Sequence, residues 1–185
     1  MTNTRKMAIV AALSALSFLL MFYQIPLVAE FLKLDFSIIP ILLALVLLDF
    51  KSSVAVLLIR SVLKLALNGH GVETLIGLPI NIVAILVFVL FFALFWEKKR
   101  DLMSYLLASF LGILSLTASM LALNAFYAIP LYARFANFDI GQIIGVSKYL
   151  LTMIVPFNLL EGVIWALVFW LIYKLLQPVL KRYEK

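Results

Sequence analysis

Charged and amide side chains recur at helical spacing inside two strongly apolar segments of this sequence. Arg60, Lys64 and Asn68 follow one another at intervals of four residues, and Asn158 and Glu161 are three residues apart. On a helix, each set lies on one face. Polar groups at membrane depth are costly and are usually functional. Both faces are therefore candidates for hydrogen bonding to a polar ligand.

Two other apolar segments carry one asparagine each. Asn81 follows Pro79 by two residues, and Asn124 precedes Pro130 by six. Along their helices, these amides and the polar residues above fall in the outer half of a bilayer. Hydrogen-bonding groups at one level on four helices predict a pocket for a polar but largely uncharged ligand. The residues predicted to line it are Lys64, Asn68, Asn81, Asn124, Asn158 and Glu161.

Each of these residues also has a structural interpretation. A single asparagine in a membrane helix often makes an interhelical hydrogen bond. An ion pair between Lys64 and Glu161 would offset much of the cost of burying both charges. Arg60 would serve as a structural anchor or extend its guanidinium toward the cytoplasm. The binding interpretation depends on the convergence of the whole set.

Catalytic motifs are absent from the sequence. It contains no H-E-x-x-H, G-x-S-x-G or G-x-x-x-x-G-K-[ST] pattern, so it lacks the signatures of zinc peptidases, α/β-hydrolases and P-loop ATPases. His70 is the only histidine and there is no cysteine, so no metal site is expected. We do not expect an enzyme. An intramembrane enzyme that uses Glu161 is the alternative from another class.

The composition requires lipid as the solvent. The chain has 185 residues, of which 66% are hydrophobic and 13% charged, and its mean hydropathy is +1.18. A soluble domain of this size would not hide so much apolar surface, and disorder needs the opposite composition. At about 20 residues per span, residues 1–185 form a single, all-α membrane domain with six transmembrane helices. The predicted spans are 7–25, 38–48, 54–67, 75–95, 102–126 and 149–176.

Basic residues are distributed unequally between the two sides of the membrane. With the N-terminus in the cytoplasm, ten lysines and arginines lie inside, three lie outside, and Arg60 and Lys64 lie within a span. The positive-inside rule therefore places both termini in the cytoplasm. The net charge of +6 is a topology signal, and nucleic-acid binding is not expected. The inside set is Arg5, Lys6, Lys51, Lys98, Lys99, Arg100, Lys174, Lys181, Arg182 and Lys185; the outside set is Lys33, Arg134 and Lys148.

The second predicted span is too short to cross a bilayer. Eleven residues make a helix of roughly 16 Å, against a hydrocarbon core of about 30 Å. The preceding segment 32–37 alternates apolar and polar residues, which favours an extended strand. Asp35 or Ser37 would cap the helix, with Pro40 in its first turn. Extended backbone at membrane depth lines a cavity or is buried, so residues 24–37 are predicted to wall or cover a cavity in the outer half. A tilted hairpin that thins the bilayer is the alternative.

The first helix carries small residues at helical spacing, in the pairs Ala8/Ala12 and Ala11/Ala15. Such pairs allow another helix to approach closely. The partner is either a helix of this chain or a second membrane protein. Elsewhere, the Phe-rich run 88–95 is interpreted as lipid-facing, and Trp96 as part of the interfacial aromatic belt.

Three segments resemble the riboflavin-specific S components of energy-coupling factor (ECF) vitamin transporters. They are residues 31–40 (FLKLDFSIIP), residues 124–132 (NAFYAIPLY) and residues 155–162 (VPFNLLEG). The resemblance spans nearly the whole chain, with the motifs in the same order and at matching spacing. The alanine pairs of the first helix also fit that family.

The resemblance implies a six-helix substrate-binding subunit in a prokaryotic plasma membrane. It would capture riboflavin from outside as transported ligand, with no cofactor, and associate with a transmembrane coupling protein and two cytoplasmic ATPases. Asn124 and Asn158 would hydrogen-bond the isoalloxazine edge, and the loop with Asp35 would close over the ligand. The face formed by Ala8, Ala11, Ala12 and Ala15 would dock on the coupling protein. An S component for another vitamin is the nearest alternative.

One position departs from the family pattern. The family's sixth-helix motif carries a lysine where this chain has Glu161, so a hydrogen-bond donor has become an acceptor. Lys64 is predicted to supply the missing donor, with Glu161 as its partner. Tyr132, Phe36 and Trp165 are candidates for stacking on the flavin rings.

Overall fold

The computed structural model describes the backbone of residues 3–183 and the side chains of residues 3–179. The ends of the predicted domain 1–185, and the charged groups of Lys181, Arg182 and Lys185, lie outside the described residues. Within this range the chain is almost entirely helical.

The helices run in chain order with one small hairpin near the start. The segments are α1 (Asn3–Leu20), β1 (Ile25–Pro26), β2 (Lys33–Leu34), α2 (Ile38–Leu47), α3 (Phe50–Asn68), α4 (Val72–Phe95), α5 (Leu102–Leu123), a first π-helical segment (Asn124–Ala128), α6 (Ile129–Phe135), α7 (Ile140–Ile143), α8 (Val146–Tyr149), a second π-helical segment (Leu150–Ile154) and α9 (Val155–Tyr183). The strands are antiparallel, with Ile25 opposite Leu34 and Pro26 opposite Lys33. The extended segment predicted within residues 32–37 is therefore confirmed at Lys33 and Leu34.

The short helix α2 lies at the centre of the bundle. It packs against α1, α3, α4 and α9, and eight of its ten residues are buried. A helix that is apolar all round is stable only when surrounded, and its sequence has no charged residue. Its C-terminal end is held by Arg100, which donates from Nη2 to the Val46 carbonyl at 2.9 Å.

Aromatic side chains from three helices form the core below α2. Phe88, Phe92 and Trp96 are each fully buried. Phe88 stacks on Phe92, and both Phe92 and Trp96 pack edge-on against Tyr105 and Phe169. The interpretations of the 88–95 run as lipid-facing and of Trp96 as interfacial are therefore wrong at these positions. One face of α4 meets α5 and α9, which the run of phenylalanines alone did not reveal.

Polar caps begin the helices that follow the short turns. The Asp49 carboxylate accepts from the Ser52 backbone N–H at 2.7 Å and from the ammonium group of Lys6. Partial burial raises the pKa of the Asp49 carboxyl, but the hydrogen bonds from Lys6 and Ser52 outweigh it and hold the pKa below its ordinary value. Asp101 caps α5 in the same way through the Ser104 N–H at 2.9 Å. These contacts fix the end of the bundle opposite the hairpin.

Three helix ends differ from the predicted spans by five residues or more. The first helix ends at Leu20 and not at residue 25, because residues 21–23 form turns that lead into β1. The last helix continues to Tyr183, beyond residue 176. The fifth continues through the first π-helical segment and α6 to Phe135, so the predicted end at residue 126 is wrong. Pro130 stands in the first turn of α6, where a missing N–H costs no helical bond.

Four of the described helices, counting consecutive helical segments as one, are long and apolar enough to cross a membrane. They are Asn3–Leu20, Val72–Phe95, Leu102–Phe135 and Val146–Val179. Helix α3 has 19 residues but carries Lys51, Arg60 and Lys64, and α2 is short. These two helices therefore lie outside the set of four.

A glycine in α9 allows it to approach α5 closely. A Cβ atom added to Gly162 would lie 2.8 Å from Ile113 Cγ1, whereas one added to Gly112 would meet nothing closer than 3.4 Å. We expect Gly162→Ala to lower the free energy of unfolding by about 1–3 kcal/mol through overpacking. Gly112→Ala is the matched control and should be close to neutral. Thermal unfolding in detergent measures both, and equal melting temperatures would contradict the packing described here.

Candidate ligand-binding site

A cavity opens where the hairpin segment meets α3 and α4. Its volume is about 640 Å³, within the range of about 300–1,000 Å³ common for small-molecule sites. Its wall includes four residues of the segment 24–37, which confirms that this segment walls a cavity. The lining residues are Met21, Phe22, Gln24, Phe31, Lys33, Asp35, Lys64, Asn68, His70, Glu73, Thr74, Gly77, Leu78 and Asn81.

The stripe on α3 forms one polar edge of the cavity. The Lys64 ammonium group donates to Asn68 Oδ1 and lies 5.9 Å from the centroid of the Phe22 ring. Lys64 and Glu161 form no salt bridge in the part of the chain that the structure describes, where Lys6 pairs with Asp49. The predicted ion pair between Lys64 and Glu161 is therefore wrong for this structure.

Arg60 occupies the buried end of the same stripe. It is completely buried and donates from Nη1 to Ser37 Oγ at 2.6 Å and from Nη2 to Asn81 Oδ1. The sequence left two alternatives for Arg60, a structural anchor or a guanidinium that extends toward the cytoplasm. The structure shows the anchor. A guanidinium that extended to the cytoplasm would be exposed and would not reach Ser37.

The segment leading into α2 is fastened by hydrogen bonds to its backbone. The Trp165 indole N–H donates to the Asp35 carbonyl at 2.8 Å, and the Ser17 hydroxyl donates to the Ser37 carbonyl. The Ser37 N–H donates to Asp35 Oδ1 at 2.8 Å. Asp35 thus forms a turn immediately before α2, and the predicted side-chain cap at Ser37 is not made. Trp165 is buried against Phe88, so the structure gives it a core position.

Asn124 and Asn158 have matching local geometry. Asn124 is the first residue of one π-helical segment, and Asn158 lies four residues after the last residue of the other. Such segments are frequent at functional sites. The Asn124 amide N–H₂ donates to the Met120 carbonyl at 2.9 Å, and that of Asn158 donates to the Ile154 carbonyl at 2.7 Å. Asn124 Oδ1 accepts from the Tyr149 hydroxyl at 3.1 Å. Asn158 Oδ1 is buried and has no partner among the described residues.

Glu161 and Tyr132 do not line the cavity. Glu161 is buried in α9, at 7% exposure. The Tyr132 hydroxyl lies 3.8 Å from the position that a Cβ on Gly77 would take, and Gly77 lines the cavity.

The structure divides the eight predicted site residues into two groups. Asp35, Lys64, Asn68 and Asn81 line the cavity, whereas Asn124, Tyr132, Asn158 and Glu161 do not. Phe31 links the groups, since it lines the cavity and its ring stacks on Tyr149 with centroids 6.3 Å apart. Tyr149 in turn donates to Asn124.

Sequence reasoning missed several lining residues. Glu73 and Thr74 stand in the first turn of α4, and His70 precedes it. His70 was considered only as a metal ligand. Phe31 opens the first resemblance segment but received no separate role. The available signal was their position, either within the predicted wall 24–37 or in the turn between the third and fourth predicted spans.

The four alanines of α1 are exposed on the bundle surface. Ala11 and Ala15 border a groove of about 690 Å³ between α1 and α3. The remainder of its wall is largely apolar, with Lys6 and Lys51 at one end. Packing against another described helix of this chain therefore does not cover these alanines.

Comparison with known proteins places the chain in a family. The model of the family "ECF transporter, substrate-specific component" matches residues 5–173. The chain belongs to this family. A solved structure, described as the S component of a bacterial ECF transporter, has a TM-score of 0.79 and 27% identity and covers 97% of this chain and 99% of its own.

Curated relatives agree with the family. A riboflavin transporter RibU from Streptococcus thermophilus is 56% identical over 97% of this chain and 86% of its own length. Riboflavin transporters RibU from Leuconostoc mesenteroides and Lactococcus lactis are 40% and 37% identical, over 99% and 93% of this chain and 96% and 93% of their own lengths. As a member of a transporter family, the chain is assigned no catalytic role. The resemblance noted from the three sequence motifs is confirmed at the level of the family.

The unpartnered Asn158 oxygen has a measurable consequence for stability. A buried acceptor without a donor costs about 1–3 kcal/mol, and a leucine of similar volume would remove that cost. We expect Asn158→Leu to leave the ligand-free melting temperature unchanged or raised. Asn124→Leu is the matched control, and it should lower stability by about 1 kcal/mol because the Tyr149 hydroxyl loses its acceptor. A larger loss for Asn158→Leu than for Asn124→Leu would contradict the unpartnered oxygen.

Proposed function

We propose that this protein captures riboflavin at the cell surface and delivers it inward as the S component of an ECF transporter. The observation that carries the proposal is the buried, unpartnered Asn158 oxygen, on the motif that resembles the riboflavin-specific S components. The relatives that match most of the chain carry the name riboflavin transporter. The cavity supports the proposal by its size and its mixed polar and aromatic lining.

The chemistry of riboflavin suits these residues. The molecule is neutral and flat, and its pyrimidine edge carries carbonyl acceptors and one N–H donor. Amide side chains supply both complements. In the proposed complex the isoalloxazine edge reaches beyond the cavity of the ligand-free protein, so that Asn158 Oδ1 accepts from the ring N–H and Asn124 on the neighbouring helix contributes to the same edge.

The polar edge of the cavity suits the ribityl chain. Lys64, Asn68 and Asn81 line one side and present donors and acceptors to hydroxyl groups. Asp35 lies on the loop that would close over the ligand. Tyr132 borders the cavity, where it is available to pack on the rings. Glu161, in place of the family lysine, would act as an acceptor beside Asn158.

The topology proposed for this function is a single domain, residues 1–185, with six spans. The positive-inside count supports cytoplasmic termini and a ligand cavity in the outer half of a prokaryotic plasma membrane. Helices α2 and α3 would complete the six. Their shortness and charge suit helices that lie inside a bundle around a cavity.

The proposed partners are a transmembrane coupling protein and two ATPases. The sequence has no P-loop of its own, so energy would come from an ATPase module. The exposed face of Ala8, Ala11, Ala12 and Ala15 supports docking of a second membrane protein, because small residues permit close helix approach. Lipid would cover the remaining apolar surface.

Flavin binding to the purified protein tests the proposal. Titration of the protein into free riboflavin should quench the isoalloxazine fluorescence with a stoichiometry of about one site per chain, because buried flavin rings stack on aromatic side chains. Unlabelled thiamine and folate are the controls, and neither should displace the flavin. Unquenched riboflavin, or displacement by another vitamin, would overturn the assignment of the ligand.

A further inference from the structure

Arg60 is a buried charge with an unusual set of partners. It is 0% exposed, and no described carboxylate lies within salt-bridge distance of it. Its hydrogen bonds go to two neutral acceptors, Ser37 Oγ and Asn81 Oδ1. The Nε atom has no partner among the described residues. Burying a charge is costly unless it is paired and hydrogen-bonded. An arginine that is kept at this position despite that cost is expected to have a specific function.

The two acceptors belong to two different segments that wall the cavity. Ser37 ends the loop segment 24–37, whose Asp35 lines the cavity, and Asn81 lines the cavity from α4. One guanidinium on α3 therefore links the loop to α4. A guanidinium has only donors, so it also fixes the orientation of the Asn81 amide. The Asn81 oxygen faces Arg60, and the amide N–H₂ is left for a ligand.

The loop has few other attachments. Its hairpin pairs only two residues per strand, and a two-stranded hairpin is marginally stable alone. Besides Arg60, the described side chains that hold its C-terminal end are Trp165, bonded to the Asp35 carbonyl, and Ser17, bonded to the Ser37 carbonyl. The Asp35 carboxylate adds an electrostatic attraction to Arg60. Leu34 belongs to the main apolar core and Phe36 packs against it. Loss of the guanidinium would thus remove one of the few polar links that hold residues 33–37 in place.

We infer that Arg60 is a positioning residue that couples closure of the loop 33–37 to the orientation of Asn81. It acts through Ser37 and Asn81 and does not touch the ligand. The consequence for riboflavin affinity rests on the proposed function. The consequence for the loop does not, because it concerns the ligand-free protein.

The absence of cysteine provides a direct probe of the loop. Leu34 is 2% exposed in β2, while its neighbour Lys33 is exposed. A single cysteine introduced by Leu34→Cys reacts with a water-soluble maleimide only when the loop opens. The variant Lys33→Cys reacts without opening and gives the reference rate. Native proteins open locally in this way, and a buried group reacts with a reagent in the solvent only while its segment is open.

Four substitutions in the Leu34→Cys background separate coupling from general loosening. Arg60→Gln removes both links, and Ser37→Ala and Asn81→Ala remove one each. Ser53→Ala is the matched control, since it removes a buried hydrogen bond from α3 to the Ile41 carbonyl that touches neither loop nor cavity.

We expect roughly tenfold faster labelling in Arg60→Gln and a smaller increase in Ser37→Ala and Asn81→Ala, as each loses one buried hydrogen bond. Ser53→Ala should label at the parent rate. Asn81→Ala should have no further effect once Arg60→Gln is present, because its influence passes through Arg60.

Two results would overturn the inference. One is parent-rate labelling in Asn81→Ala, which is decisive even if Arg60→Gln fails to fold. The other is an equal increase in Ser53→Ala, which would assign Arg60 a stabilising role only. Both are measured without ligand. Loss of the riboflavin assignment would therefore leave them interpretable, and their failure would leave riboflavin binding untouched.

Discussion

The ten residues of α2 cover only about half of a bilayer core, and the rest of the structure depends on how the missing half is filled. The chain fills it with a loop, and a loop at that depth must satisfy its backbone polar groups without water. The Trp165 indole, the Ser17 hydroxyl and the Asp35 carboxylate provide those partners. Because the loop does not fill the space completely, a cavity remains between it, α3 and α4. The short helix and the cavity therefore have the same cause, which is that α2 is only about half as long as a bilayer core is thick.

Polar groups near the cavity are only partly satisfied by the protein. Asn124 is paired with Tyr149, whereas Asn158 Oδ1 and Arg60 Nε are buried with no partner in the part of the chain that the structure describes. Unmet hydrogen-bonding capacity lowers the stability of the free protein and is available to a ligand. A core built only for stability would place leucine at position 158. Asparagine there, beside a π-helical segment, is consistent with a site that is completed by what it binds.

Much of this arrangement follows from residue types and spacing. The polar stripe on α3, the extended segment before α2 and the asparagines of the last two long helices are all evident in the sequence, because a polar group in an apolar segment stands out. The partners of those groups are not evident. Lys64 donates to Asn68 in its own helix and does not pair with Glu161. Whether two side chains on different helices meet depends on how each helix is rotated about its axis, and the spacing of residues in the sequence does not define that rotation. For the same reason the phenylalanines of α4 did not distinguish a lipid-facing surface from a core. Pro130 suggested a helix end, yet a proline in a first turn begins α6.

The role proposed for Asn158 Oδ1 is to accept a hydrogen bond from a ligand N–H. We would compare the affinities of riboflavin and 3-methylriboflavin, because the methyl group removes the only N–H donor of the pyrimidine edge. Methylation is expected to weaken binding roughly tenfold or more, since a buried acceptor loses its donor. The variant Asn158→Leu is expected to bind both flavins with similar, weak affinity. Equal affinity of the unmodified protein for the two flavins would show that Asn158 does not bind the ring N–H.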